Sequence, residues 1–279
     1  MKFVKMHGAG NDYVYIDCFR QKVEDPERLA REISDRNFGV GGDGMILIEP
    51  SKKGDVKMRI FNADGSEAEM CGNGVRCVAK YAFDHGLVDT TEISIETGAG
   101  VLPLVMYPNA REHIDKVRVN MGPPRLARAD LPMLGPADEQ VINMPLKVLD
   151  REFEITCVSM GNPHCVIFVD KLEDFPVRRY GYAIENHELF PNRVNVEFVE
   201  IISRNEVKQR TWERGAGETL ACGTGSSAVT VAGVLTDRTD GTLLNHLTGG
   251  DLEMEWDGKN EVFMTGPAAE VFSGEYVPR

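Results

Sequence analysis

The order of apolar and polar positions divides the chain into many short strands and few helices. Apolar runs and alternations bounded by turn residues predict strands at 3–6, 13–16, 45–48, 56–61 and 93–96. The second half repeats the style at 153–158, 166–169, 194–201, 207–212, 252–256 and 262–264. Asp25-Pro26 opens a helix with an acid as N-cap and a proline at the first helical position, and Leu29, Ala30 and Ile33 form its apolar stripe. Gly39, just past Phe38, is expected to close it. A second helix follows Cys71, with Val75, Val78, Ala79, Ala82 and Phe83 on one face and Gly86 as its stop. A third follows Cys222 through Ala228, Val229, Val231, Ala232, Val234 and Leu235. It is apolar nearly all round, which predicts a buried core helix. Stretch 123–145, rich in Pro, Gly and Asp, reads as a loop or domain connection.

These elements occur twice. Cys71 and Cys222 lie 151 positions apart. The same offset sets Arg59 on Arg210, Phe61 on Trp212, Glu67 on Glu218, Gly72 on Gly223, Gly74 on Gly225 and Val78 on Val229. It also sets Gly10-Asn11 on Gly161-Asn162 upstream and Thr97-Gly98 on Thr248-Gly249 downstream. Three patches in one register describe two copies of a domain-sized fold, too long a period for a solenoid unit. The expected class is α+β: two similar pseudo-symmetric domains, each a mixed or antiparallel sheet around a central helix that begins at its cysteine. The boundaries read 1–117, joined by the tail at about 268–279, and 118–267.

Composition narrows the partners. A net charge of −13 repels phosphate backbones, so nucleic acid is not expected. No apolar run approaches the ~20 residues of a membrane helix. The first residues are too polar for a signal peptide, so the expected location is the cytoplasm. Six cysteines without a CxxC pair suggest free thiols, with neither a disulfide framework nor a structural zinc site.

Each copy places Cys-Gly-x-Gly directly before a helix. A thiol there meets the positive end of the helix dipole and unpaired backbone N–H groups, which lower its pKa. The same groups suit a carboxylate. Cys18, Cys157 and Cys165, in or beside apolar runs, and Cys77, inside its helix, read as small hydrophobes. Two related domains are expected to meet across a pseudo-twofold, bringing Cys71 and Cys222 to opposite sides of a cleft. Racemisation needs one base and one acid on opposite faces of one carbon, and a thiolate and a thiol can exchange those roles.

The chain closely resembles diaminopimelate epimerases, which interconvert LL- and meso-diaminopimelate in lysine and peptidoglycan biosynthesis. The resemblance spans nearly the whole chain. It rests on MHGAGNDYVYID (6–17), FGVGGDG (38–44), RIFNADGSEAEMCGNGVRC (59–77), MGNPHCV (160–166), RVNVEF (193–198), ERGAGETLACGTGSSA (213–228) and TGPA (265–268). It implies that Cys71 and Cys222 are the acid/base pair. It implies that Asn11, Asn62, Asn162, Asn195, Glu213 and Arg214 bind the substrate's amino-acid groups, and that Gly72, Asn73, Gly223 and Thr224 hold the reacting carboxylate. His164 and Glu213 would tune the thiols. It further implies a homodimer and a reaction that needs no cofactor. One departure is visible: a substrate-contacting glutamine of some members falls at Gly44.

The residue types suit that substrate independently. Arginine receives a carboxylate bidentately, glutamate an ammonium, and asparagine both donates and accepts. The glycine run 39–44 lacks the GK[ST] ending of a P-loop and precedes a strand, so it is not read as a nucleotide site. Neither repeat patch offers a matched lysine for pyridoxal phosphate. A proline or hydroxyproline racemase leaves Glu213-Arg214 without a distal group to hold. A thiol redox or acyl-transfer enzyme leaves the second thiol unexplained. A non-catalytic amino-acid-binding protein would tolerate loss of either cysteine.

Overall fold

Asp25 caps the first helix, α1 (Pro26–Ser34), by accepting the Arg28 N–H, and proline occupies the first turn as its missing N–H allows. This computed structural model describes residues 1–278. The chain divides into two units, Met1–Asn120 with the segment from Thr265 onward, and Met121–Met264. Among the described residues no helix is long and apolar enough to cross a membrane.

The first unit has strands β1 (Lys2–Gly8), β2 (Asn11–Asp17), β3 (Gly44–Glu49), β4 (Val56–Asn62), β5 (Glu67–Ala68), β6 (Glu92–Thr97), β7 (Gly100–Pro108) and β8 (Ile114–Asn120). Successive partners run β1–β2–β3–β4–β6–β7–β8, parallel at β2/β3 and β4/β6 and antiparallel elsewhere. The C-terminal strand, Ala269–Glu275, returns to pair antiparallel with β1. Helix α2 (Gly72–Asp84) packs on β1, β2, β4 and β8, so the sheet surrounds it. Val75, Val78, Ala79 and Ala82 are fully buried, each valine contributing about 1.5–3 kcal/mol. Gly86, at φ 70°, supplies the left-handed turn after the helix.

The second unit repeats the plan. Its strands are β9 (Met144–Val148), β10 (Arg151–Ser159), β11 (Pro163–Phe168), β12 (Asn195–Ser203), β13 (Glu206–Glu213), β14 (Gly217–Thr219), β15 (Thr242–Leu247) and β16 (Gly250–Glu255). The order β9–β10–β11–β12–β13–β15–β16 is parallel at β11/β12 and β13/β15. Helix α3 (Val177–Glu185) lies on β12 and β13, and α4 (Gly223–Leu235) packs on β10, β11, β12 and β16. Matched ion pairs mark the repeat. Arg59 Nε meets Glu67 Oε1 at 2.7 Å in one unit, and Arg210 Nε meets Glu218 Oε1 at 2.7 Å in the other.

Three sequence expectations need correction. Helix α1 ends at Ser34, five residues before Gly39. The chain then folds back on the helix end: Val40 and Gly41 donate to Ile33 O, and a Cβ at Gly39 would sit 2.3 Å from Glu32 O. Glycine is needed there for close approach, not as the helix stop. Second, Thr97-Gly98 does not superpose on Thr248-Gly249. Strands β6 and β15 match at an offset of 150, because the loop before β15 is one residue shorter. Third, α3 lies where no helix is expected, although Val177, Tyr180, Gly181 and Ile184 have helical spacing. Gly181 lets the helix meet Trp212, whose Cγ would lie 2.6 Å from a Cβ there. Stretch 123–145 is irregular, with one short turn at Arg128–Asp130, yet it buries Leu131, Met133 and Val141.

Candidate active site

Each cysteine is the N-cap of its unit's buried helix. Cys71 Sγ accepts the Gly74 N–H at 3.4 Å, and Cys222 Sγ accepts the Gly225 N–H at 3.4 Å. The glycines answer to space. A Cβ at Gly74 would sit 2.7 Å from Ile46 Cδ1, and one at Gly225 would sit 2.7 Å from Glu197 Oε1. The N–H groups of Gly72, Asn73, Gly223 and Thr224 belong to the two first turns, where no intrahelical acceptor exists.

In the first unit the turn at Ala9 (φ 52°) and Gly10 (φ 84°) delivers Asn11 to the cysteine. Asn11 Oδ1 accepts the Cys71 thiol at 3.3 Å, and Asn11 Nδ2 donates to Asp43 Oδ2 at 2.7 Å. Asp43 and Asp12 both take Arg36 Nη2, at 2.9 and 2.8 Å. Burial opposes ionisation of Asp12, but hydrogen bonds from Arg36 and Lys5 hold its carboxyl below the usual range. Tyr13 packs beside this group; burial, then the charges of Cys71 and Asp43, push its phenol up. Asn73 Oδ1 accepts Arg76 Nη2 at 2.9 Å. Asn62 stands further along, at the end of β4, where its Nδ2 donates to Ser66 Oγ at 2.9 Å. Gly44 has no room for a longer residue, since a Cβ would meet Phe61 O at 2.1 Å.

The second unit joins its candidates in a longer series. Glu197 and His164 are wholly buried, with Oε1 and Nδ1 2.8 Å apart. His164 Nε2 lies 3.0 Å from Asn162 Oδ1. With a hydrogen on Nε2, the Asn162 amide oxygen accepts it. Asn162 Nδ2 donates to Thr224 Oγ1, 3.2 Å away, and that oxygen lies 3.5 Å from Cys222 Sγ. Asn195 Nδ2 donates to Pro163 O and its Oδ1 accepts the Arg214 N–H, so it pins the loop that carries Glu213 and Arg214. Glu213 Oε1 accepts Thr219 Oγ1 at 2.6 Å, and the Arg214 guanidinium rests on Asn192 O at 3.1 Å.

The helix-start argument expects a lowered pKa for both thiols, and at Cys222 it does not hold. Burial, then the negative charges of Glu213 and Glu197, push this thiol well up, against hydrogen bonds from Thr224 and Gly225. A buried sulfur loses more by giving up water than one helix end returns. Cys77 is likewise raised by burial, to about 11, which suits a packing role.

Two residues behind the candidates went unsuspected in the sequence. Glu197 alternates with apolar neighbours in RVNVEF and would pass for a surface residue of a strand. Asp43 is the only acid of the glycine run, a feature that marks it without explaining it.

Two copies of one α+β fold are an architecture found in other solved proteins. A Bacillus anthracis phenazine biosynthesis protein of the PhzF family aligns at TM-score 0.72 and 19% identity over 99% of both chains. A probable proline racemase from Agrobacterium radiobacter K84, solved with bound carbonate, aligns at TM-score 0.70 and 15% identity, covering 99% of this chain and 92% of that one. At these identities the likeness concerns the fold. The family model for diaminopimelate epimerase matches residues 3–127 and 156–271. A diaminopimelate epimerase from Agathobacter rectalis is 56% identical over 282 residues, 99% of each chain. The chain belongs to the diaminopimelate epimerase family, whose members are epimerases independent of pyridoxal phosphate.

Proposed function

We propose that this protein interconverts LL- and meso-diaminopimelate by a two-thiol proton transfer, with Cys71 and Cys222 acting on the two faces of one α-carbon. The observation that carries this reading is the duplicated N-cap cysteine, with Asn11 on Cys71 directly and its counterpart Asn162 reaching Cys222 through Thr224. One sulfur, as thiolate, takes the α-proton, and the C–H electron pair passes into the carbanion beside the carboxylate. The other sulfur, as thiol, gives its proton to the opposite face. The product leaves with the two protonation states exchanged, and the reverse direction uses the same groups in exchanged roles. First-turn amides of Gly72, Asn73, Gly223 and Thr224 are suited to the reacting carboxylate, whose negative charge grows as the proton leaves.

Burial, then Glu213, keep Cys222 protonated in the ligand-free chain. A substrate ammonium at Glu213 would offset that charge and ease thiolate formation. Arg214, Asn62 and Asn195 complete the reading as residues for the distal amino-acid group. The substrate is a small zwitterion, the location the cytoplasm, and the assembly a homodimer.

The test is proton NMR of LL-diaminopimelate with reduced, cofactor-free protein in deuterated water. The expected result is the meso isomer, deuterated at one α-carbon. Neither exchange nor isomer, from folded protein with both thiols free, would overturn the substrate and move proline and hydroxyproline forward.

A further inference from the structure

The glycine run gives the first unit a feature its copy lacks. Parallel registers pair Tyr13 with Gly44 and His164 with Asn195, so Asp43 corresponds to Val194, a buried apolar residue. Asp43 is fixed on several sides. Its Oδ1 accepts Arg36 Nη2 at 2.9 Å, its N–H donates to Asp12 O at 2.7 Å, and its carbonyl accepts the Ala63 N–H at 3.2 Å. The remaining oxygen, Oδ2, accepts the Asp12 N–H at 3.2 Å and Asn11 Nδ2 at 2.7 Å.

A carboxylate only accepts hydrogen bonds. The Asn11 amide therefore cannot turn its oxygen toward Asp43. Its Oδ1 must face away, and there it meets Cys71 Sγ at 3.3 Å. An amide oxygen welcomes S–H and repels a thiolate. At Cys222 the amide is reversed: Asn162 gives its oxygen to His164 and its N–H to Thr224, whose hydroxyl can donate to a thiolate as well as accept from a thiol.

We infer that Asp43 is a positioning residue for Cys71, which fixes the Asn11 amide oxygen on the sulfur and so keeps the proton on that thiol in the ligand-free enzyme. The inference rests on the reading of Cys71 as half of the acid/base pair, and adds how its resting protonation is set. Other groups act on this sulfur: Tyr13 and Tyr15 from β2, and Arg76 and Cys77 from α2. The test leaves all four in place.

The experiment follows iodoacetamide alkylation of Cys71 against pH in substrate-free protein, read at the peptide by mass spectrometry. In Asp43→Asn the new amide can accept as well as donate, Asn11 is released to turn its N–H to the sulfur, and the onset should move down by about one pH unit. Loss of a negative charge alone would also lower the onset. The same substitution is therefore made in an Asn11→Ala background, where only the smaller shift due to charge should remain. No shift in Asp43→Asn, or an equal shift with and without Asn11, would overturn the inference. Should Asp43→Asn not fold, Asn11→Ala alone must lower the onset by removing the acceptor; an unchanged or raised onset overturns it equally. The readout is a thiol and not turnover, so failure here leaves the epimerase reading standing, and absent turnover leaves this measurement valid.

Discussion

Thr224 Oγ1 lies 3.5 Å from Cys222 Sγ and accepts Asn162 Nδ2 at 3.2 Å. When Cys222 ionises, the hydroxyl is the only possible donor of this pair and its hydrogen turns to the sulfur. It is one of two hydrogen bonds, with that of Gly225, that work against burial at this thiol. Thr224→Val keeps the shape and removes the donor. The Cys222 thiolate then forms at still higher pH, and turnover at neutral pH falls by about tenfold, the equivalent of roughly 1.4 kcal/mol for one hydrogen bond to a charged group. The pH dependence of Cys222 alkylation checks this. An unchanged profile would mean that the hydroxyl serves only Asn162.

Removing either sulfur separates catalysis from folding. Cys71 and Cys222 are the N-caps of α2 and α4, and serine is a good N-cap, so Cys71→Ser and Cys222→Ser should fold. A serine hydroxyl is far too weak an acid to share a proton with a thiol near neutral pH. Turnover should fall by about 100-fold or more, with substrate affinity by calorimetry little changed. A single mutant with near-normal turnover would remove that residue from the pair.

Much of this arrangement is legible in the amino-acid order, for physical reasons. The helix starts at Cys71 and Cys222 can be read because glycine is needed where Ile46 and Glu197 crowd the first turn, and repeated crowding leaves a repeated motif. The core of α4 can be read because its side chains from Ala228 to Leu235 are apolar but for Thr230. What resists reading depends on tertiary pairing. Glu197 looks like the polar face of a strand until His164 arrives from the parallel neighbour β11. Asp43 looks like a turn residue until Asn11 is brought to it by the β2/β3 pairing. The depth of Cys222, which reverses the expected shift of its pKa, is a property of the folded surround and not of the motif.

Gly225→Ala probes the packing beneath Cys222. The added methyl would sit 2.7 Å from Glu197 Oε1 and 3.2 Å from Gln209 Nε2, both on wholly or nearly wholly buried side chains. Glu197 cannot give way without leaving His164. Overpacking of this kind costs about 1–3 kcal/mol, partly offset by the roughly 1 kcal/mol that alanine gains over glycine inside a helix. The expected net is a loss of up to about 2 kcal/mol in urea unfolding, with turnover reduced as the His164 contact is disturbed. The matching Gly74→Ala meets an isoleucine methyl at 2.7 Å, an apolar end that can rotate, and should be the milder change. Equal losses at the two sites would contradict the role given to the Glu197–His164 pair.

His246 offers a pH signature away from the cysteines. It sits across β15 from Asp251 on β16, and Nδ1 and Nε2 lie 2.7 Å from Asp251 Oδ1 and 2.9 Å from Glu206 Oε1. Hydrogen bonds to Glu206, then to Asp251, raise its pKa above the ordinary 6.5, although partial burial opposes them. The folded chain thus binds this proton more tightly than the unfolded chain does. Its contribution to stability is fully present below about pH 6.5 and is lost as pH rises through the folded value. With the side chain 30% exposed, solvent screening holds the effect to about 1 kcal/mol or less. His246→Gln should therefore narrow the stability difference between about pH 6 and pH 9, with the variant closest to the native protein at the alkaline end. Urea titrations across that window measure it, and adding 1 M salt should shrink the effect, since the pairs are accessible to ions. A stability difference that grows toward alkaline pH would mean that His246 is neutral in the folded protein and that its two acids hold it by geometry alone.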